Sequence, residues 1–324
     1  MPKTPSLKGK IVLRYLNEYP ELTTTELANR IYSNNINKNH FKNVEDVRST
    51  IRYYRGTKGK YNYSVLNKDL LHKLPAGIKS QIKHHIIKGA NKILLLSDIH
   101  VPYHDEIAIN AAIAYGKKQK VDCIILNGDF IDFYSISRFE TDHRKRNFSN
   151  EVTTAIDVLR YIRNQFKNEQ IIYKVGNHDD RWQQFIIKNE LTGLNDIELQ
   201  GLLKFKELGI KMVDSMATIY ANKLAIIHGH EHRYGLIAPV NPARGLFLRT
   251  KQSVIMSHVH RISEHTEKTH DGKLIGCWST GCLCELTPDY MPYNNHNHGF
   301  AVIELQKNNM FTVYNKKIID GIIY

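Results

Sequence analysis

Aspartate, histidine and asparagine recur in this chain just after short apolar runs, and those side chains are metal donors. Ile93-Leu94-Leu95-Leu96-Ser97 leads into Asp98-Ile99-His100, and Val121 to Leu126 leads into Asn127-Gly128-Asp129. Ile171 to Val175 leads into Gly176-Asn177-His178-Asp179, Leu224 to Ile227 into His228-Gly229-His230, and Ser253 to Ser257 into His258-Val259-His260. Runs of this length, rich in Ile, Leu and Val, predict strands buried on both faces. In open α/β sheets ligands gather outside the carboxyl ends of such strands. Five strands delivering these residues to one edge predict a site.

Neutral imidazole, carboxylate and amide oxygen together suit divalent transition metals, whereas an all-oxygen set suits magnesium or calcium. On an extended chain Asp98 and His100 point to the same side, as do His258 and His260. Two ions about 3.5–4 Å apart can hold a hydroxide nucleophile and clamp a phosphoryl group during in-line displacement. One carboxylate must then reach both ions, and Asp129, after a glycine at the tip of a central strand, is the natural bridge. Taken singly, a histidine after a strand, such as His228, reads as a hydrogen-bonded core residue, and a Gly-Asp pair reads as a turn. The order of the blocks is what carries the reading.

That order resembles the calcineurin-like metallophosphoesterases, in the pattern Asp98-x-His100, Gly128-Asp129-x-x-Asp132, Gly176-Asn177-His178-Asp179, His228, and His258-x-His260. The resemblance covers roughly residues 92 to 305. It implies that Asp98, His100, Asp129 and His260 hold one metal and that Asp129, Asn177, His228 and His258 hold the other. It also implies that His178 stabilises or protonates the leaving oxygen, with Asp132 raising its basicity and fixing its tautomer. Where the family has glycine before the last histidine pair this chain has Ser257, which reaches a glycine backbone conformation only at a cost. Gly229-His230-Glu231-His232 offers a rival to the last block, but His258 and His260 follow a strand of their own. The expected fold is α/β (α+β): a four-layer sandwich of two mixed β-sheets flanked by helices, preceded by a small all-α module.

The chain has 324 residues, no apolar stretch long enough to span a membrane, and a start that does not read as a signal peptide. Four cysteines do not suggest a disulfide framework, so a reducing cytoplasm is the expected compartment, the host's if the chain is phage-encoded. Cys123 reads as a small core hydrophobe. Cys277, Cys282 and Cys284 are spaced too irregularly for a zinc knuckle.

Charge is uneven. Residues 1–90 hold 17 Lys/Arg and 6 Asp/Glu, a net +11 out of +13 for the chain. Such asymmetry suggests a polyanionic partner, nucleic acid first among them. Leu7, Ile11, Val12, Tyr15 and Leu16 predict a helix stopped by Pro20, and Thr23 to Glu26 caps a second helix running to about Tyr32. Val44, Val47, Ile51 and Tyr54 predict a third, ending at Arg55-Gly56, with Arg48, Arg52 and Arg55 on its exposed side. This resembles helix-turn-helix modules whose third helix enters the major groove; a docking or dimerisation module with a solvated basic face is the other reading. The expected division is a basic module at 1–60, a basic connector at 61–91 and the hydrolase at 92–324. Lys79, Lys83, Lys88 and His84-His85 of the connector form a phosphate track or a solubilising face.

Within the hydrolase, Arg138, Arg144 and Arg146, with His143 and Lys145, follow Asp132 closely and are candidates for binding substrate phosphate. Alternatively Phe133 and Phe139 anchor a loop whose charges face water. A helix is expected from Val152 to about Gln165, a mostly helical insertion at 181–220, with Trp182, Phe185, Ile186 and Ile187, as one wall of the cleft, and antiparallel edge strands around Trp278, 299–304 and 311–314. Asn241 to Arg244, Ser263 to His265 and Gly281 to Cys284 resemble metallophosphoesterases of bacteriophage and prophage genomes.

The sequence thus predicts an enzyme using two divalent ions, manganese first, with iron, zinc or nickel as alternatives. The favoured reaction is phosphodiester hydrolysis of DNA or RNA by a metal-bridging hydroxide. Phosphomonoester hydrolysis on nucleotides or phosphoproteins is the alternative, and a DNA-binding regulator with a ligand-sensing hydrolase domain is the reading from another class.

Overall fold

A computed structural model describes residues 5–56, 77–79, 82–138, 142, 144, 146–194, 196–232, 240–288 and 291–324. The chain divides into two compact units, residues 1–80 and 81–324.

Among its described residues the first unit holds four helices: α1 (Leu7–Glu18), α2 (Thr24–Ser33), α3 (Asn35–Lys38) and α4 (Val44–Arg55). The predicted capping box is present, with Glu26 N donating to Thr23 Oγ1 and Thr23 N donating back to Glu26. Val12, Leu16, Leu27, Ala28, Ile31, Val47 and Ile51 meet in a core of the unit's own. The short α3 falls in a stretch that reads as merely polar. Asn34 caps it, and Asn37 turns inward to donate to Tyr15 Oη, so its register is set by capping and a buried amide and not by an apolar stripe.

Arg48, Arg52 and Arg55, expected on the exposed side of the third helix, have partners within the unit. Arg48 and Arg52 both pair with Glu45, and Arg55 folds back to donate to Leu22 O and Thr24 Oγ1. A guanidinium satisfies local acceptors first when they lie within reach of its long side chain.

The second unit contains two mixed sheets. Its strands are β1 (His85–Ile86), β2 (Lys92–Leu96), β3 (Cys123–Asn127), β4 (Gln170–Lys174), β5 (Ile210–Val213), β6 (Ile219–Ala221) and β7 (Leu224–Ile226). They continue with β8 (Val254–Met256), β9 (Ser263–Lys268), β10 (Leu274–Ser279), β11 (His298–Leu305), β12 (Phe311–Ile319) and β13 (Ile322–Ile323). One sheet runs β13-β12-β11-β2-β3-β4-β5 and the other β1-β6-β7-β8-β10-β9. Side chains alternate along each strand, which builds the layers. Ile93, Leu95, Ile125 and Ile172 point inward to meet Ile219, Leu224, Ile226 and Ile255 of the other sheet. Leu94, Leu96, Ile124 and Tyr173 point outward under helices Glu106–Lys118 and Phe148–Gln165. On the far side Val254, Met256 and Cys277 are covered by helix Pro242–Thr250. Helix, sheet, sheet, helix is the four-layer order.

Several local expectations change. The end of the predicted connector, His85–Ile86, pairs with β6 and so belongs to a sheet. The insertion at 181–220 contains helices Asp180–Lys188, Leu199–Leu202 and Phe205–Leu208, but also β5 and β6, whose short apolar runs are too brief to show a period. Trp182 stacks on Phe133, Phe148 and Phe185 and is buried in the helical layer. The strands expected at edges are mostly interior: β10 lies between β8 and β9, and β11 between β12 and β2. No described helix is long and apolar enough to cross a membrane. Residues 57–60 of the expected basic module, residues 61–76, 80 and 81 of the expected connector, Phe139, His143 and Lys145 lie outside the described residues.

Candidate metal centre

The five predicted strands do not share one sheet. β2, β3 and β4 belong to the seven-stranded sheet and β7 and β8 to the six-stranded one, so their carboxyl ends converge across the sandwich. Asn127 ties the sheets together there, donating from Nδ2 to Ile227 O at 2.8 Å and to Ser257 Oγ at 2.9 Å. Gly128 makes the approach possible: its φ is 87°, and a Cβ on it would stand 2.3 Å from His228 Nδ1.

Asp98, His100, Asp129, His258 and His260 all have left-handed backbones, with φ of 50°, 50°, 50°, 69° and 54°. The extended geometry expected for Asp98-x-His100 and His258-x-His260 is therefore wrong. The chain coils immediately past each strand, and backbone bonds such as Asp98 N to Gly128 O (3.1 Å) and His100 N to Asp129 O (3.0 Å) lock the coils together. Conformations of this kind cost about 1–3 kcal/mol each and persist where surrounding structure over-determines them. Ser257, by contrast, is not among the left-handed residues, so the expected cost of replacing glycine there is not incurred. Its hydroxyl instead joins Asn127 and Thr280.

Four groups of donor atoms result among the described residues: His100 with His260 and Cys284, His100 with Asp132 and His178, and two that contain Asp129. Of the two that contain Asp129, the first is Asp98, His100 and Asp129 and the second is Asp129, His228 and His258, so Asp129 is common to both. Around the first, His260 Nε2 lies 3.3 Å from Asp98 Oδ1 and 3.2 Å from His100 Nε2. Around the second, His228 Nε2 lies 3.2 Å from both Asp129 Oδ2 and Asn177 Oδ1. The rival His230 bonds Ser215 Oγ at 2.8 Å and joins neither group.

The donor chemistry fits cations. His100 Nδ1 donates to Asp132 Oδ1 at 2.9 Å and His228 Nδ1 to Asn127 O at 2.8 Å, which leaves each Nε2 with a lone pair facing the cluster. Lone pairs of imidazole, carboxylate and amide converging in a buried space need positive charge among them. Without an ion a proton supplies it at His228: burial works against charging, but Asp129 beside it carries the imidazole up to about 9. Burial also opposes ionisation of Asp129, yet His228, His178 and His100 hold it well below the usual carboxylate range. His258 goes the other way, down to about 4, through burial and the neighbouring His228.

Residues 91–230 match the calcineurin-like phosphoesterase family. The matched stretch holds Asp98, His100, Asp129, Asp132, Asn177, His178 and His228, while His258 and His260 lie beyond it. The Gene 54 protein of Mycobacterium phage L5 is 26% identical over 190 residues, covering 55% of this chain and 72% of that protein. Among solved structures, a Vps29 variant from Entamoeba histolytica aligns at 14% identity over 72% of this chain and 96% of its own, with a TM-score of 0.38. YfcE, described as a phosphoesterase from E. coli, aligns at 11% over 69% of this chain and 98% of its own, with a TM-score of 0.35.

The calcineurin-like order accounts for the ligands but not for what holds them. Asp179, buried, accepts from the backbone N–H groups of Asp129, Phe130, Ile131 and Gly176 and from Tyr173 Oη, which shapes the loop carrying Asp129. Glu231 accepts from His228 N and Gly229 N and pairs at 2.9 Å with Lys174, whose side chain is fully buried. Arg181, one turn past His178, donates from Nη1 to Asp132 O at 2.9 Å and from Nη2 to His178 Nε2 at 3.2 Å. Cys284 Sγ lies 3.9 Å from His260 Nδ1. The i+3 spacing of Arg181 from His178, and of Glu231 from His228, was the available signal.

Two of the candidate phosphate-binding arginines have local partners. Arg138 reaches Gln184, and Arg144, 90% exposed, closes on Asp142. Phe133 is buried.

Proposed function

We propose that the protein is a dinuclear-metal phosphoesterase that hydrolyses phosphodiesters, with nucleic acid as its substrate class. The observation that carries the reading is Asp129, whose carboxylate belongs to two separate donor groups and which sits, buried, between histidines from both sheets. Asp98, His100, Asp129 and His260 would hold one divalent ion, and Asp129, Asn177, His228 and His258 the other. A bound pair of such ions supplies a nucleophile at neutral pH and neutralises charge on the phosphoryl group, and manganese suits the mixed donors.

The chain's own residues do the rest. His178 lies outside the ligand set, with Nδ1 2.8 Å from Asp132 Oδ1, and Nε2 on the side of Asp129 at 4.0 Å. Asp132 fixes the ring so that Nε2 is the atom offered to the leaving oxygen, where a proton lowers the barrier most for a basic leaving group. The same Asp132 oxygen orients His100, so the acid and one ligand are set by a single carboxylate.

Nucleic acid as substrate is supported by the basic front end, and the position of the charge refines that idea. Residues 5–56 hold 9 Lys/Arg and 5 Asp/Glu, whereas residues 57–90 hold 7 Lys and 1 Asp. The stronger charge density lies after the helical module, and the arginines of α4 are partly engaged within it. The segment 57–90 is accordingly the primary phosphate-contacting region in this reading. A bacteriophage source is part of the same reading, supported by the mycobacteriophage relative.

The deciding experiment is turnover by the manganese-loaded full chain on bis-p-nitrophenyl phosphate, p-nitrophenyl phosphate, and labelled DNA and RNA. Cleavage of the diester and of a polynucleotide is expected. Cleavage of the monoester alone would replace this reading with a phosphomonoesterase.

A further inference from the structure

Arg181 stands where neither the motif order nor the basic loop after Asp132 would place a substrate ligand. It is the second residue of helix Asp180–Lys188, and its side chain retains 16% of its exposure. The guanidinium is held by Asp132 O at 2.9 Å and by His178 Nε2 at 3.2 Å, and Asp132 Oδ2 at 4.0 Å is its one carboxylate within ion-pair reach among the described residues. That carboxylate already serves His100 and His178 through its other oxygen. Arg181 therefore brings a positive charge beside the two donor groups without a close anionic partner.

Its bond to His178 is the replaceable one. With His178 Nδ1 turned to Asp132, Nε2 can accept from Arg181 only while it carries no proton. A phosphate oxygen is a much better acceptor for a guanidinium, and the planar fork can take two of them at once. His178 Nε2 is 4.0 Å from Oδ2 of Asp129, the carboxylate common to both Asp129 donor groups, so the nitrogen that Arg181 holds is itself beside the site. The same contact also means that Arg181 and a leaving oxygen compete for one ring nitrogen, and one must give way to the other.

We propose that Arg181 is the phosphate-gripping residue of the site, exchanging its bond to His178 Nε2 for a non-bridging phosphate oxygen when substrate enters. The proposal rests on the phosphoesterase reading above. Its anchor on Asp132 O stays in place, so the movement needed is a swing of the guanidinium tip, which frees His178 Nε2 to take up from water the proton it then gives to the leaving oxygen.

The test uses the manganese-loaded full chain, its Arg181→Ala and Arg181→Lys variants, and inorganic phosphate as the probe, followed by calorimetry and by inhibition of diester cleavage. Arg181→Ala should bind phosphate about ten- to a hundredfold more weakly, with metal content unchanged, and KM for the diester should rise in step. Arg181→Lys should recover part of the binding through charge alone. Unchanged phosphate affinity with a fall confined to kcat would overturn the proposal and leave Arg181 as a positioning residue for His178. If wild type binds phosphate but cleaves none of the esters, the phosphoesterase reading fails while the binding comparison still decides Arg181. Loss of metal in Arg181→Ala that Arg181→Lys does not restore would likewise overturn the proposal, because it would make the residue part of the metal scaffold.

Discussion

Asp129 Oδ2 and His228 Nε2 face each other at 3.2 Å across the gap between the two sheets, one delivered by β3 and the other by β7. Removing the Asp129 charge breaks the one carboxylate shared by both donor groups. Asp129→Asn is expected to lose both ions and to reduce diester turnover to background, as read by metal analysis beside kinetics. Full metal content in an active variant would refute the bridge.

The same pair sets a pH dependence. The His228 pKa is raised to about 9 in the protein without ions, so its protonated form contributes stability that is complete below about 6.5 and lost as pH rises through about 9. A metal ion must displace that proton. The melting temperature of the apo protein should therefore fall over this window, and the increment produced by manganese should grow. A metal-induced shift that is flat from pH 6.5 to 9 would contradict the assignment of His228 as a ligand.

His178→Ala should retain both ions and lower turnover by roughly 10²–10⁴-fold, most for esters with basic leaving groups. Asp132→Asn should act on two fronts, because its carboxylate holds His100 as well as His178: a loss of about 10–100-fold in metal affinity or activity is expected. Metal analysis on both variants separates the roles. If His178→Ala loses metal in proportion to activity, His178 is a ligand.

Lys174 and Glu231 form a buried pair beneath His228. Burial works against the charge of Glu231, but Lys174 and His230 hold its pKa down at about 2, while burial outweighs Glu231 and lowers that of Lys174. Lys174→Met strands the carboxylate in the interior and should destabilise the fold by about 3–5 kcal/mol. Chemical denaturation measures it; a change below about 1 kcal/mol would show that the pair is dispensable.

Nucleic-acid binding by the full chain should weaken steeply with salt, with a log–log slope near −0.9 per phosphate contact on duplex DNA. Replacing the lysines at 58, 60, 68 and 73 with alanine should flatten that slope more than replacing Arg48 and Arg52, which already share Glu45. The opposite ranking would return the contact surface to α4. A change in sedimenting mass with no change in affinity would favour a dimerisation module.

Much of this protein is local, and the sequence alone determined that part. The apolar runs ending in Asp, His and Asn, the capping box at Thr23 and Glu26, and the helical periods of α1, α2 and α4 depend on neighbours a few residues away. What only the tertiary structure decided involves partners far apart in sequence. β2, β3 and β4 split from β7 and β8 into different sheets because alternate faces of every strand must be covered, and pairing rather than pattern chooses the partner. The left-handed turns at Asp98, His100, Asp129, His258 and His260 are imposed by bonds between loops, which propensity cannot show. Arg181 and Glu231 read as ordinary surface charges on their own. They become parts of the site only because His178 and His228 are brought against the shared carboxylate of Asp129.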